Sequence, residues 1–403
     1  MSGRELIDNL KRRIARFDTS AAPARAASRL RVAELPGARD ERPVRFHTRL
    51  RVESSDVAGT AVLAGAAFDS RRALYLDTET TGLSTTAGTL PFLIGYAWFE
   101  AASARPTGRA ASAQPTGCAG ELCVEQLLMR GPEDERAALE RLADRVRSCS
   151  GLVTFNGRSF DVPLLEVRYV LSRLRSPFAE LPHLDLLAPS RRLFGSRMSS
   201  CRLVALEEGV LGERREGDIG GHLIPGLYNE YLRSGDASGL AGVVDHNRRD
   251  IVSMPRLLAV LARKVARPLE EAEDAYELIA VGRMHLGGGD ADTGLRCFER
   301  AARIATLPRA RRLALVALAH ALRRRGDVEA LAGVWERYAR DFPGENLGYV
   351  ELAKVHEHRR RDPAAALKAA AAAPETTESL LRRLRRLRAR IAPTPVPRAA
   401  ATA

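Results

Sequence analysis

The chain has 403 residues, 45% of them hydrophobic and 28% charged. That is enough apolar material for two to four domains at roughly 100–200 residues each, and it excludes a wholly disordered protein. Lysine and arginine number 63 against 50 acids, a net charge of +13 that suits a polyanion such as nucleic acid, although charge alone does not separate that partner from a membrane surface. Five cysteines without CxxC spacing argue against a zinc ribbon or a disulfide framework. No run of 18 apolar residues offers a transmembrane helix, and the start MSGRELIDNLKRRIARFD lacks the apolar core of a signal peptide. A cytoplasmic protein with no membrane association is expected.

The first 18 residues read as a short amphipathic helix, and residues 19–45, rich in Ala, Arg and Pro, as a linker or loose arm. From about residue 46 strand patterns begin. ALYLDTET, FLIGYAWFE and ELCVEQLLM are apolar, strand-like runs, and the last two are separated by the low-complexity segment ARPTGRAASAQPTGCAG, which reads as an inserted loop. PEDERAALERLADRVRS has Pro132 and acids where a helix starts. GLVTFNG is a buried strand, SFDVPLLEVRYVLSRLRS a helix, and HLDLL a short strand, after which helical stretches run to about residue 266. Three successive strands followed by alternating helix and strand predict an α/β fold whose mixed sheet has an antiparallel part and flanking helices.

Beyond Arg267 strand signals stop. AYELIAVGRMHLGGGDADTGLRCFERAARIA aligns with RLALVALAHALRRRGDVEALAGVWERYARDF on Asp290 and Asp327, which superposes Phe298 on Trp335 and Glu299 on Glu336. A weaker third copy is in register through Asp362. The offsets, 37 and then 35 residues, are close to the roughly 34-residue period of tetratricopeptide helix pairs. The alternative is generic helix pairing in an Ala-rich sequence. Gly287, Gly288 and Gly289 follow no strand and read as a turn between repeat helices, not as a phosphate loop. LLRRLRRLRARIA reads as a solvated capping helix. The expected organisation is a basic arm and linker over 1–45, an α/β domain over 46–266, a tetratricopeptide-like helical module over 267–392 and a disordered tail over 393–403.

Three carboxylate motifs carry chemistry. Asp77 and Glu79 stand two apart in a strand, so their side chains share one face. Two acids side by side in an apolar strand repel unless a divalent cation cancels their charge, or unless they are simply solvated at a strand end. Asp161 falls in the first turn of the helix after Asn156-Gly157, aimed back at the strand's mouth, with an N-cap role for it or Ser159 as the alternative. His246 and Asp250 lie four apart on one helix face, the geometry of a surface pair and equally of a ligand beside a general base.

D-x-E, N-x-x-x-F-D and H-x-x-x-D, in that order, resemble the three motifs of the DEDD (DnaQ-like) 3′→5′ exonuclease superfamily. More narrowly, DTETTGLSTTAGTLPFLIG, VTFNGRSFDVPLL, HLDLL, CRLVALEEGVLG, GGHLIPGLYNEYLRSGD and HNRRDIVSM, within roughly residues 70–265, are similar to the YprB-like ribonuclease H-like domain. Members of that group commonly carry tetratricopeptide-like helices after it. The resemblance implies a ribonuclease H-like fold and metal-dependent hydrolysis of phosphodiester bonds, as a 3′→5′ exonuclease with two Mg²⁺ or Mn²⁺ ions. It makes Asp77, Glu79, Asp161 and Asp250 the metal-binding acids and His246 the general base. In the superfamily the base is a Tyr four residues before the last Asp or a His five before it, so His246 departs from both patterns. Asp245, five before Asp250, is not a histidine and takes no such role.

The implied partner is DNA or RNA, as a single strand or a 3′ end, with a protein partner for the helical module as a further expectation. A structure-specific endonuclease and an inactive binding scaffold are the alternatives. Asn156 reads equally as a substrate contact and as a strand-ending turn residue. Asp185 reads as a structural cap or salt-bridge partner, with support of the acids as the alternative. His183 and His222 read as satisfied structural histidines, Tyr228 and Tyr231 as helix packing, Phe92 as core and Cys201 as a small buried hydrophobe.

Overall fold

The computed structural model describes residues 29–100 and 119–391, apart from Asp56 and Leu83. The expected N-terminal amphipathic helix, most of the inserted loop and the expected tail lie outside these residues. The sheet begins with β1 (Ala38–Arg39) and β2 (Val44–Glu53), then α1 (Val57–Ala64), β3 (Ala73–Glu79), β4 (Leu93–Phe99) and β5 (Ala119–Leu128). There follow α2 (Glu135–Arg147), β6 (Gly151–Thr154), α3 (Asp161–Leu171), β7 (His183–Asp185), α4 (Leu187–Phe194), α5 (Leu203–Leu206), α6 (Ile224–Ser234) and the long α7 (Leu240–Ala266).

The seven strands order as β1-β2-β5-β4-β3-β6-β7. Pairing is antiparallel from β1 to β3 and parallel from β3 through β6 to β7. This is the expected mixed sheet. Alternation along β3 sends Leu74 and Leu76 into one core with Leu139, Leu142 and Leu165. Ala73 and Tyr75 go into the other, under Ile251, Met254 and Leu258 of α7. Asp77 and Glu79 continue the α7 face, so the apolar stripe of that face becomes acidic at the carboxyl end of the strand.

Residues 30–45, expected as a linker or loose arm, are part of the fold. Val32 and Leu35 are buried, and Ala237 N–H donates to the Leu30 carbonyl at 2.8 Å. Burial of those two apolar side chains ties down a segment whose composition suggested none.

After α8 (Pro268–Glu271) the chain forms helical hairpins: α9 (Ala275–Gly287) with α10 (Ala291–Ile304), α11 (Pro308–Arg325) with α12 (Val328–Asp341), and α13 (Asn346–Val355) with α14 (Pro363–Ala371); α15 (Glu378–Ile391) packs on the last. Asp290, Asp327 and Asp362, the three residues aligned in sequence, each cap the second helix of a pair, accepting from the N–H of Thr293, Ala330 and Ala365 at 3.0, 3.0 and 2.9 Å. Of the triple glycine, Gly287 ends α9 and Gly288 and Gly289 make the turn into α10. Phe298 and Trp335 are both buried. The helical region does not hang from the sheet: its Leu278, Phe298 and Leu315 share one apolar core with Tyr75 and Met254. Among the described residues no helix is long and apolar enough to cross a membrane, and Cys123, Cys149, Cys201 and Cys297 are free.

Candidate active site

Asp77 sits opposite Gly95 in the β3–β4 ladder, with α7 laid across both strands. A Cβ on Gly95 would come within 2.0 Å of Asn247 Oδ1 and 2.3 Å of Ile251 Cδ1, so only glycine lets the helix approach this closely. That approach delivers His246, Asn247 and Asp250 to the acids of β3. Asp161 arrives from the other side as the first residue of α3 and accepts a hydrogen bond from Thr78 Oγ1. Neither it nor Ser159 caps the helix: the N-cap is Phe160, with no side-chain bond, so the capping alternative does not hold.

The structure therefore gathers the carboxylates of Asp77, Glu79, Asp161 and Asp250, with His246 beside Glu79 and Asp250. Nε2 of His246 lies 4.0 Å from Glu79 Oε1 and 3.6 Å from Asp250 Oδ2, and these three residues offer ligand atoms within 4.8 Å of one another. Electrostatics reports the crowding. Burial, then the charges of Asp250, Asp161 and Glu79, push the Asp77 carboxyl well above its ordinary range. Glu79 is driven up by burial and by Asp250, Asp161 and Asp218. Asp161 is pushed up to about 6 by burial, against the Thr78 hydrogen bond. Asp250 is raised by burial although Arg215 and His246 oppose it. Four oxygen donors that resist ionising together are a donor set that a hard divalent cation satisfies.

Three further residues have no signal in the sequence. Asp218 Oδ1 is 2.8 Å from His246 Nδ1. Burial acts to raise Asp218, but hydrogen bonds from His246 and Arg215 outweigh it and hold the carboxyl below its usual range. An ionised Asp218 only accepts, so Nδ1 of His246 is the donor in this contact, and Nε2 is the ring nitrogen that faces Glu79 and Asp250. Arg215, 6% exposed, binds Glu207, Asp218 and Asp250 together. Asn247, fully buried, donates from Nδ2 to Asp77 Oδ2 at 2.8 Å. Its amide orientation is fixed by Gln126, whose Nε2 donates both to the Val244 carbonyl and to Asn247 Oδ1, each at 2.8 Å.

The remaining residues fall into place. Asp185 accepts from the backbone N–H of Asn156, Arg158 and Leu187 at 2.9, 3.0 and 3.0 Å, the structural cap expected of it. Asn156 is exposed in left-handed backbone (φ 66°) at the end of the strand. His183 is satisfied by Thr154 Oγ1 at 2.8 Å, and burial lowers its pKa to about 4. His222 is exposed, contrary to expectation, because it lies in a surface turn ahead of α6. Cys201 is half-buried, packed against the core on one side and lining a cleft on the other. Phe92 and Tyr228 stack at 3.9 Å inside the core, and Tyr231 packs beside them. Asp245 pairs with Arg248 and Arg249 on its own helix.

Residues 74–262 match the RNase_H superfamily. Over 338 residues, 81% of this chain and 76% of the relative, the sequence is 28% identical to the uncharacterized protein YprB of Bacillus subtilis strain 168.

Proposed function

From a ribonuclease H-like domain at residues 74–262, a superfamily of nuclease-type activity, we propose a metal-dependent nuclease that shortens a nucleic-acid strand from its 3′ end. The observation that carries this reading is the meeting of four carboxylates with raised pKa values at the carboxyl ends of β3 and β6. Asp77, Glu79, Asp161 and Asp250 would hold two Mg²⁺ or Mn²⁺ ions, for which all-oxygen sites are suited. Bound there, such ions supply a water of lowered pKa and neutralise charge on the leaving oxygen.

The chain's own groups do the rest. Asn247 fixes Asp77, Thr78 fixes Asp161 and Arg215 fixes Asp250. His246, oriented by Asp218, takes the proton of the attacking water at Nε2. The water oxygen bonds to phosphorus, the bond from phosphorus to the 3′-oxygen breaks, and solvent protonates the leaving oxygen. The order and spacing of the three motifs support exonucleolytic action.

The test is incubation of 5′-labelled linear and circular single-stranded DNA and RNA with Mn²⁺ and then EDTA, beside Asp77→Ala. A metal-dependent ladder receding from the 3′ end, absent in the variant and on circles, is expected, and it identifies DNA or RNA as the substrate. Cut circles would make the enzyme an endonuclease. Substrates bound but intact would make it a scaffold, and wild-type activity in Asp77→Ala would refute the site.

A further inference from the structure

A cleft of about 610 Å³ opens outside the carboxyl ends of β6 and β7, where ligands of open α/β sheets bind. Its walls are Phe155 and Asn156 after β6, Arg191 of α4, Met198, and Arg202 with Leu203 at α5. Both walls lead directly to the acids. The parallel register pairs Tyr75 with Val153, so Asp77 and Phe155 are the next residues but one on adjacent strands. Five residues beyond Asn156 comes Asp161. On the other wall Leu203 stands one helical turn before Glu207, which binds Arg215 and through it Asp250.

Several arginines of this domain are paired internally, whereas the two that line this cleft are not. Arg197, Arg215, Arg248, Arg249 and Arg256 are all spent on internal acids. Arg191 and Arg202 are exposed and have no acidic partner among the described residues. Two free guanidinium forks on an otherwise partly apolar cleft await an external anion with two or more sites. Half-buried Phe155, packed against the core on one side, lines the same cleft two residues beyond the strand position level with Tyr75. Phosphates for the arginines and a base for the ring are the features of one strand of nucleic acid. A volume of this order takes one or two nucleotides and not a duplex.

Resting on the nuclease reading, we propose that this cleft is the subsite for the nucleotides next to the reacting phosphate, and that it restricts the enzyme to single strands. Arg191 and Arg202 bind the backbone, and Phe155 stacks on a base.

The full-length chain tests this by fluorescence anisotropy with labelled ten-nucleotide single strands and matching duplexes in EDTA, over a range of salt. Arg191→Glu/Arg202→Glu should weaken single-strand binding at least tenfold and lower the salt slope by about 1.4, at about 0.7 per phosphate contact. Arg323→Glu/Arg324→Glu, the same charge change on exposed residues of α11, should bind as wild type, and circular dichroism of both variants confirms their fold. Wild-type affinity and slope in the cleft variant would overturn the proposal, as would equal loss in the control, no strand binding by the wild type, or duplexes bound as tightly as single strands. Hydrolysis by the wild type with Mn²⁺ is read separately: binding that needs the two arginines without any cutting removes the nuclease reading and leaves the cleft.

Discussion

His246 Nδ1 lies 2.8 Å from Asp218 Oδ1, with Arg215 bridging from Asp218 to Asp250. One ion-pair network thus fixes both the imidazole and the carboxylate four residues after it. In Asp218→Asn the side chain keeps an oxygen for one donor but loses the charge that holds the proton on Nδ1. Turnover of an oligonucleotide should fall about 10- to 100-fold, the usual cost of removing a partner behind a working group, while KM changes little. Adding His246→Asn to this variant should cost much less than His246→Asn alone, since the two residues act as a unit. Fully additive losses, or unchanged turnover in Asp218→Asn, would show that the contact serves only the fold.

The acids make metal-free stability depend on pH. Asp161 has its folded pKa raised from 3.8 to about 6, by burial first, so the fold favours its protonated form. The stabilisation is complete below about 4 and is lost as pH rises through about 6. Asp161→Asn does not titrate there. In EDTA it should therefore gain on wild type between pH 4 and 6, by on the order of 1–3 kcal/mol in urea unfolding. His183, depressed to about 4, acts in the opposite direction but is common to both proteins and cancels in the difference. Millimolar Mn²⁺ at pH 7.5 should reverse the ranking, because only the wild type retains all four acids to bind it. A pH-independent difference would mean that Asp161 is ionised without metal.

Much of this site is legible in the sequence because its parts are local. Asp77 and Glu79 obey the strand period, and His246 and Asp250 the helix period. Asp290, Asp327 and Asp362 mark the hairpins because a cap sits at a fixed place in each repeat. What the sequence hides is long-range. Asp218 meets a residue 28 positions on, and Gln126 meets Asn247 across 121 positions, so neither pair has a spacing to recognise. Gly95 looks like any strand glycine until α7 lies on it. Helix α1, VAGTAVLA, is apolar on every side and shows no period at all. Leu30, at the start of the segment expected to be loose, is held by Asp236 and Ala237, some two hundred residues away.

The helical hairpins are fastened to the sheet by buried charge. Glu277 of α9 is fully buried, and its Oε2 accepts from Lys264 Nζ of α7 at 2.8 Å and from Glu273 N–H at 3.0 Å. Arg197, after α4, has Nη2 at 3.1 Å from its other oxygen, near enough for charge pairing but not aligned as a hydrogen bond. Removing one partner of a buried ion pair leaves uncompensated charge and costs about 3–5 kcal/mol. Here Glu273 still accepts from both Lys264 and Arg197, so Glu277→Ala should lie near the lower end, at about 3 kcal/mol. The loss should appear as a lower urea midpoint in one transition, the same by tryptophan fluorescence as by helical circular dichroism. The reason is the apolar core running from Tyr75 through Met254 to Leu278 and Phe298, which continues across residue 267, where α7 gives way to α8. Two separated transitions in wild type, with only the helical one moved by Glu277→Ala, would show instead that the hairpins fold on their own.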